Sequence, residues 1–453
     1  MSGTSGNIEF EILHRKCIKP STPTLSHLKT FKLSLLDQLS PDIHGNITFF
    51  FNNSHSHSQF STNSQLLQTS LSQTLTLFYP LAGRLHHPAT AINCNDHGAF
   101  FIEAQTTTTL SDLLTNPHFN TLESLIPSTD EETVAMSNGS MLLIRFTLFG
   151  CGGTAVSISL THKIADFSAL ITLLKTWTAV CGGATELPAP ELTAGAVLFP
   201  QREIPGMSAS VITVAGKFAA RRFIFNASKV DELKNRVKVA LQSAVVGGGA
   251  AFHASRVEVV LALIWRCALL AASCSSKTVS SFRPSALFQA VNLRPRMEPA
   301  VSDTAVGNFV WPFAVTVEEE SHLELHEMVW RMREAMKEFL ETKAGRFREE
   351  GGFEVVMECL KERALLLNRN NKDIVVYKCT SWCKFPLLGL DFGWGKPVWS
   401  CSVNNLVSNT IALMDTKDGG VEACVTLSEE EMDLFQQDEH LLQYALLNPG
   451  VII

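Results

Sequence analysis

The chain has 453 residues, 45% of them apolar and 18% charged, and a net charge of -7. That is the composition of a globular protein with core enough for two or three domains. Without a basic surplus a nucleic-acid partner is not expected, nor is a membrane, because the richest apolar run, residues 257–272, is broken by Glu258 and Arg266.

In chain order, residues 8–18 alternate loosely and read as a strand, ended by Pro20 and Pro23. Residues 30–36 read as a second strand, closed by Leu39-Ser-Pro41. Residues 44–59 read as polar chain with a short apolar insert at 47–51. Leu66, Leu67, Leu71 and Leu75 place an amphipathic helix over 63–77. It must stop before Pro80. Tyr79-Pro-Leu-Ala-Gly-Arg84 then makes a helix-to-strand corner, with Gly83 free to take a backbone angle that other residues resist. Residues 91–103 and 141–161 supply more strands, and Gly150-Cys-Gly-Gly153 turns a hairpin between two of them.

The strand ending in Ser157-Ile-Ser-Leu-Thr161 runs into His162, with Asp166 four residues on. Leu170, Ile171, Leu173, Leu174 and Trp177 follow at helical spacing. His162 therefore stands where a strand hands over to a helix, a place that presents a side chain into a cleft. Taken alone, the spacing also fits a half-buried histidine followed by an aspartate that caps a helix.

Residues 181–205 turn to Gly, Ala and Pro and mark a domain boundary. Residues 221–225 read as a strand, and Ser228 as the cap of the helix behind it. Residues 240–254 are a small-residue, Gly-rich loop, and Ser255 opens a helix over 257–270. Residues 287–293 are a strand ending in Asn292-Leu-Arg294. Ser321 and Glu324 read as a capping box before a helix striped by Leu325, Met328, Val329, Met332, Met336, Phe339 and Leu340. A helix over 353–367 follows, then strands at 374–380 and 400–414, then a last helix capped by Ser428 with Glu431. Alternating strands and helices in two halves indicate α/β architecture with mixed sheets. Eleven cysteines are scattered, with no two pairs at zinc spacing. With no secretory signal in the first residues they read as reduced thiols, so a cytoplasmic chain without a metal site is expected.

One more signature lies late in the chain: Thr380-Ser-Trp-Cys-Lys-Phe-Pro386, then Asp391-Phe-Gly-Trp-Gly395. Gly393 and Gly395 allow a sharp loop, and Phe392 and Trp394 would pin it to the surface beneath. With His162-x-x-x-Asp166 and Tyr79-Pro-Leu-Ala-Gly-Arg84, this set resembles the plant BAHD acyltransferases, which use coenzyme A thioesters. The match is to that family's HxxxD, DFGWG and YPLAGR motifs. Asn292 to Arg294, Gly307-Asn308 and Thr380 to Trp382 also look like family positions, and the resemblance runs from about residue 8 to 450.

The resemblance implies two domains like chloramphenicol acetyltransferase, each a mixed β-sheet flanked by helices, joined by a crossover loop with a tunnel between them. The first would span 1–200 and carry HxxxD, the crossover 201–220, and the second 221–453 with DFGWG; residues from about 386 to 410 would pack back onto the first domain. It implies that His162 is the general base, since an imidazole titrates near neutrality and can take a hydroxyl proton as it attacks. Asp166 would support the histidine loop, paired with Arg294, instead of orienting the ring. Thr380 and Trp382 are candidate oxyanion donors or acceptor contacts. Ser255 and Arg256, with basic residues near Lys217, are candidates for the coenzyme phosphates. Asp391, Phe392, Gly393, Trp394 and Gly395 are structural.

No permanently bound cofactor is implied. Acyl-CoA, acetyl-CoA first, is the co-substrate, a small-molecule alcohol is the acceptor, and the protein is a monomer. Lys19-Pro-Ser-Thr-Pro-Thr and the stretch Leu28-Lys-Thr-Phe-Lys-Leu-Ser-Leu-Leu-Asp37 are most similar to the branch that contains vinorine synthase, which acetylates hydroxyls of alkaloids and terpenoids. An N-acyltransferase acting on an amine and a non-catalytic binding paralogue are the alternatives. A peptide-synthetase condensation domain shares HxxxD, but usually has a second histidine and a glycine where Thr161 and Phe167 stand. Leu388 or Gly389 occupies the place of a tyrosine common in the family, which would enlarge an acceptor pocket there.

Overall fold

The computed structural model describes residues 8–53, 56–86, 90–204, 217–244, 253–275, 282–368, 374–403 and 408–451. Most of the expected crossover loop, 205–216, and the centre of the Gly-rich stretch, 245–252, lie outside them, as do 404–407.

Two large mixed sheets organise the chain. The first has six strands in the spatial order Glu11–Ile18, Ala99–Gln105, Leu142–Leu148, Thr154–Thr161, His44–Phe51 and Trp399–Cys401. All neighbours are antiparallel except the Ala99–Gln105 and Leu142–Leu148 pair. Val156, Ile158 and Leu160 project from one face into a core shared with the helices His57–Leu77 and Phe167–Cys181. By the two-residue alternation of strands, Ala155, Ser157, Ser159 and Thr161 lie on the other face. There Ser157 and Thr48 join hydroxyls at 2.9 Å.

The second sheet has seven strands in the order Val310–Val317, Ser285–Asn292, Val375–Ser381, Thr410–Asp415, Val421–Ser428, Phe218–Phe225 and Leu446–Leu447. Tyr377, Cys379, Ile411, Leu413, Ala423 and Val425 bury one face against the helix Arg256–Ser275. That helix is long and apolar enough to cross a bilayer by length and composition, contrary to the expectation from the sequence. Val259 to Ala272 serve instead as the apolar filling of this core, Arg266 and Leu270 apart.

The last strand of the first sheet comes from the far end of the chain. Trp399–Cys401 pairs antiparallel with His44–Phe51, and Leu387, Leu390 and Phe392 sit in the first domain's core. Beside this seam the buried pair Arg222–Glu422 closes at 2.9 Å. The Arg222 guanidinium lies 4.5 Å over the Trp399 ring, and the indole N–H donates to Glu422 at 3.2 Å.

Several local expectations change. Residues 30–36 hold a strand only over Thr30–Lys32; Leu35–Leu39 is a short helix, because Ser34 and Asp37 form a capping box. The polar stretch from residue 44 contains an interior strand, His44–Phe51. Both its faces are covered, so no alternation marks it. The helix expected from residue 63 begins at His57, where Ser56 and Gln59 make a capping box. Asn226, not Ser228, accepts the Lys229 N–H and caps its helix. The box before Leu325–Thr342 is Glu319 with His322, not Ser321 with Glu324.

Candidate active site

The Thr154–Thr161 strand delivers His162. At its last residue it is still paired with His44, and the His162 N–H donates to the Ile43 carbonyl at 2.8 Å. The chain then turns through Lys163, Ile164 and Ala165, all buried, with Ile164 and Ala165 in the first core. Asp166 starts the next helix, its Oδ1 accepting the Ala169 N–H at 2.9 Å. Within His162–Asp166 only His162 keeps solvent exposure. Its Nδ1 is nevertheless buried and without a hydrogen-bond partner among the described residues, which leaves Nε2 as the nitrogen available to a ligand.

Asp166 spends its carboxylate elsewhere. Oδ2 accepts from Arg294 Nη1 at 2.7 Å and from the Phe309 N–H at 2.9 Å. Oδ1 accepts from Arg294 Nη2 at 3.0 Å in addition to the cap. Arg294 is 0% exposed, and its other donors reach the Ala305 and Gly307 carbonyls at 2.8 and 3.2 Å. The Phe309 ring lies 4.7 Å from the guanidinium carbon. A bidentate, fully satisfied ion pair thus ties the start of a first-domain helix to the second sheet's Asn292-to-Val310 connection. No hydrogen bond runs from Asp166 to the imidazole.

A second buried clamp was not foreseen from the sequence. Asp37, 2% exposed, accepts on Oδ2 from the Ser34 hydroxyl at 2.6 Å and the Ser34 N–H at 3.1 Å. On Oδ1 it accepts from the Asn308 N–H and side-chain Nδ2, each at 2.8 Å. Asn308 Nδ2 also donates to the His162 carbonyl at 2.8 Å. Burial pushes the Asp37 carboxyl above its ordinary value, against those donors, which pull it down. At the other end of the same short helix, Lys163 Nζ donates to the Gln38 and Ser40 carbonyls at 3.0 and 2.6 Å, and burial lowers its pKa. The signals were present as Ser34-x-x-Asp37, a capping-box spacing, and as Gly307-Asn308; their meeting was not.

Of the remaining candidates, Trp382 comes up to the histidine loop. Its ring stacks on Phe167, the residue after Asp166, at 4.1 Å between centroids and 0° between planes. Phe385 meets the Phe167 ring edge-on at 5.1 Å. Thr380 lies two residues earlier on the Val375–Ser381 strand, half-buried, on the face opposite Tyr377 and Cys379. No hydrogen bond joins Thr380 or Trp382 to His162 among the described residues. Lys378, on the Thr380 face, has its pKa pulled down to about 8 by burial and then by Arg363.

Ser255 and Arg256 both hydrogen-bond within the second half of the chain. Ser255 and Glu258 exchange bonds at 2.7 and 3.2 Å, a reciprocal cap at the start of Arg256–Ser275. Arg256 reaches the Gly419 carbonyl at 2.5 Å, the Gly420 carbonyl at 3.2 Å and Asp415 at 3.1 Å. Lys217 lends its carbonyl to the Glu429 N–H at 3.2 Å.

In Asp391–Gly395, Asp391 Oδ1 accepts from the Gly393 and Gly395 N–H groups at 2.8 and 2.9 Å. Gly393 and Gly395 have φ of +106° and +112°, which a side chain would strain. Phe392 is 0% exposed and packs 4.9 Å from Trp177 and 6.2 Å from Phe51. Trp177 stands eleven residues beyond Asp166, roughly 16 Å along the helix, so this loop is remote from His162. One cavity of about 320 Å³ is lined by Phe385 to Gly389 and Asp415 to Lys417, and includes Leu388. A second, of about 280 Å³, lies at His14, Arg15, Lys16, Gln68, Phe101 and Glu103. His162 lines neither.

Comparison with known proteins shows the family and the fold. A family model described as Transferase family matches residues 8–442. Akuammiline synthase 1 of Alstonia scholaris is 35% identical over 439 residues, 95% of this chain and 96% of that one. An epi-neemfruitin B 7-O-acetyltransferase of Melia azedarach is 34% identical over 472 residues, 98% of this chain and 100% of that one. Among solved structures, vinorine synthase matches with a TM-score of 0.79 at 29% identity, over 96% of this chain and 98% of its own. F. sporotrichioides TRI101, solved with coenzyme A and T-2, shares the fold with a TM-score of 0.67 at 16% identity, over 92% of this chain and 99% of its own.

Proposed function

The chain belongs to the Transferase family, the BAHD acyltransferases, and on that premise we propose that it moves an acetyl group from acetyl-CoA to a hydroxyl of an alkaloid or terpenoid. The observation that carries the reading is His162. It is the half-buried member of a loop whose other residues are buried, and the loop is clamped at Asp166 by Arg294 and at the His162 carbonyl by Asn308.

In this reading the acceptor oxygen attacks the thioester carbonyl while His162 Nε2 takes its proton. An alcohol is far too weak an acid to ionise beforehand, so base and nucleophile must be held together. The carbonyl oxygen gains charge and needs a donor; Thr380, the Trp382 indole or a nearby amide is placed in that role. Collapse forms the ester and breaks the carbon–sulfur bond, and the proton on His162 passes to the departing thiolate. Base, alcohol and thioester meet in one ternary complex with no acyl-enzyme. Water is kept out by a tunnel between the domains. The protein works as a cytoplasmic monomer.

The choice of acetyl and of a hydroxyl acceptor draws on the 7-O-acetyltransferase relative and on the likeness to vinorine synthase. The test is incubation of the purified protein with acetyl-CoA and a panel of alkaloid and terpenoid alcohols, following free thiol and product mass. Thiol release matched by a one-acetyl gain in mass, absent with His162→Ala, supports the reading. Release with amines alone would reassign the acceptor. Release with no acyl product would mean thioester hydrolysis and overturn it.

A further inference from the structure

We propose that Lys378 and Arg363 form a subsite for a carboxylate carried by the acceptor, at the end of that molecule away from the hydroxyl that is acylated; the proposal rests on the acyl-transfer reading above. The two cations meet over one face of the second sheet. Lys378 lies on the Val375–Ser381 strand, in register with Phe288 on one side and Thr410 on the other. Arg363 comes from the helix Gly352–Asn368, its guanidinium carbon 5.7 Å from the Phe288 ring centroid. Neighbouring strands lie about 4.8 Å apart, so the two charged groups stand over adjacent strands.

That face is the floor of a groove and not a core. Ala290, Val376, Thr380, Thr410 and Ala412 on it are short side chains and only half-buried. Tyr377, Cys379, Ile411 and Leu413, on the opposite face, are shut into the second core. Lys378 and Arg363 are half-buried like the floor. Arg363 makes no hydrogen bond or ion pair among the described residues, and Lys378 Nζ reaches a neutral group, the Ser408 carbonyl, at 3.5 Å. The acids nearby are engaged. Glu362 bonds Lys343, and Glu422, on the same face two strands from Lys378, closes on Arg222 at 2.9 Å.

Burial lowers the pKa of both cations, and Arg363 presses that of Lys378 down further. Two partly desolvated like charges facing one groove repel each other. An anion between them relieves the repulsion and gains charge-assisted hydrogen bonds. A carboxylate suits the pair, because a guanidinium offers it two parallel N–H groups and the ammonium a third donor.

Distance decides which substrate carries the acid. Thr380 and Trp382 follow Lys378 by two and four residues, roughly 7 and 13 Å at about 3.3 Å per residue. Trp382 stacks on Phe167 beside the His162–Asp166 loop. An acid on the acyl group, as in malonyl-CoA, lies only two bonds from the reacting carbon and cannot span that gap. A polycyclic alcohol can, with its hydroxyl at one end and its carboxylate at the other. The acceptor class is therefore a polycyclic hydroxy acid.

The test compares such hydroxy acids with their methyl esters, acetyl-CoA being the donor; the triterpenoid oleanolic acid and its methyl ester are one such pair. The acid-to-ester ratio of kcat/KM should be about tenfold or more in the wild type, the worth of a hydrogen bond to a charged group. It should fall to near one in Lys378→Gln and in Arg363→Gln, and return in Lys378→Arg. A ratio taken within one preparation is unaffected by any misfolded fraction. A wild-type ratio of one or less, or a ratio unchanged in both Gln variants, overturns the proposal. A Lys378-dependent preference for malonyl-CoA over acetyl-CoA in its place would move the carboxylate to the donor and also overturn it. Binding is read without turnover by amine labelling: the acid, and not the ester, should raise the Lys378 midpoint above about pH 8, and an unmoved midpoint overturns the subsite. If no alcohol is acetylated while the acid still moves that midpoint, the acyl-transfer reading fails and the subsite stands.

Discussion

Asp166 stands four residues from His162 and shares no hydrogen bond with it; its carboxylate binds Arg294, 128 residues away, at 2.7 and 3.0 Å. The spacing of the motif invites a charge relay, and the geometry instead makes a strut between domains. The two residues should therefore fail in different ways.

Asp166→Ala strands a guanidinium that is 0% exposed. Breaking one side of a buried pair costs about 3–5 kcal/mol, so stability and activity should fall together. Urea unfolding of Asp166→Ala, Arg294→Met and the double variant tests this. The double variant should lose less than the sum of the singles; additive losses would mean the pair is not coupled in solution.

His162→Ala removes a ring whose Nδ1 has no hydrogen-bond partner among the described residues. Its melting temperature should stay near that of the wild type. Its kcat should fall by roughly 10²–10⁴-fold, the usual worth of a positioned base. A comparable loss of stability would place His162 among the structural residues.

Within Asp391–Gly395, the exposed Asp391 should matter less to the fold than the buried Phe392. Asp391→Ala gives up the bonds to the Gly393 and Gly395 N–H groups, each worth about 1 kcal/mol. Phe392→Ala empties a fully buried site among Phe51, Trp177 and Trp394, at about 3–5 kcal/mol. Thermal unfolding should rank the two in that order, and kcat measured well below either transition should change little.

Lys378 should lose its proton near pH 8, well below an ordinary lysine. Its pKa is pulled from 10.5 to about 8 by burial and by Arg363. In that window the unfolded chain binds one proton more than the folded chain at this residue, so its contribution to stability rises with pH between those two values. Amine labelling read by mass spectrometry should reach half its maximum near pH 8 at Lys378. Arg363→Gln should move that midpoint upward; an unchanged midpoint would remove Arg363 as a cause.

Leu388 lines the cavity of about 320 Å³. Leu388→Tyr should narrow it and shift preference toward smaller acceptors, seen as a larger fall in kcat/KM for bulky alcohols than for small ones. Equal falls for both would separate this cavity from acceptor choice.

Much of the site was legible where the controlling contacts are local. The cap from Asp166 to Ala169 spans three residues, the turn at Gly150–Gly153 four, and the Asp391 loop closes on its own glycines. Such features depend on neighbours along the chain, so their residue types announce them. The strand His44–Phe51 was not legible, because cover on both faces removes the alternation that marks a strand. The helix Leu35–Leu39 was misread because β-like spacing around Phe31 and Leu33 masked the Ser34–Asp37 box.

The sequence by itself determined the family, the two-sheet α/β class and the identity of the one histidine on which the chemistry is proposed to turn. The Asp166–Arg294 pair was already expected from the family resemblance; tertiary structure alone decided the partners of the other charged residues around it, Asn308 for Asp37 and backbone carbonyls for Lys163. The physical reason is that a buried charge must find its opposite or a full set of dipoles. Only the docking of two sheets, bringing together residues more than a hundred positions apart, settles which of the available groups stands within 3 Å.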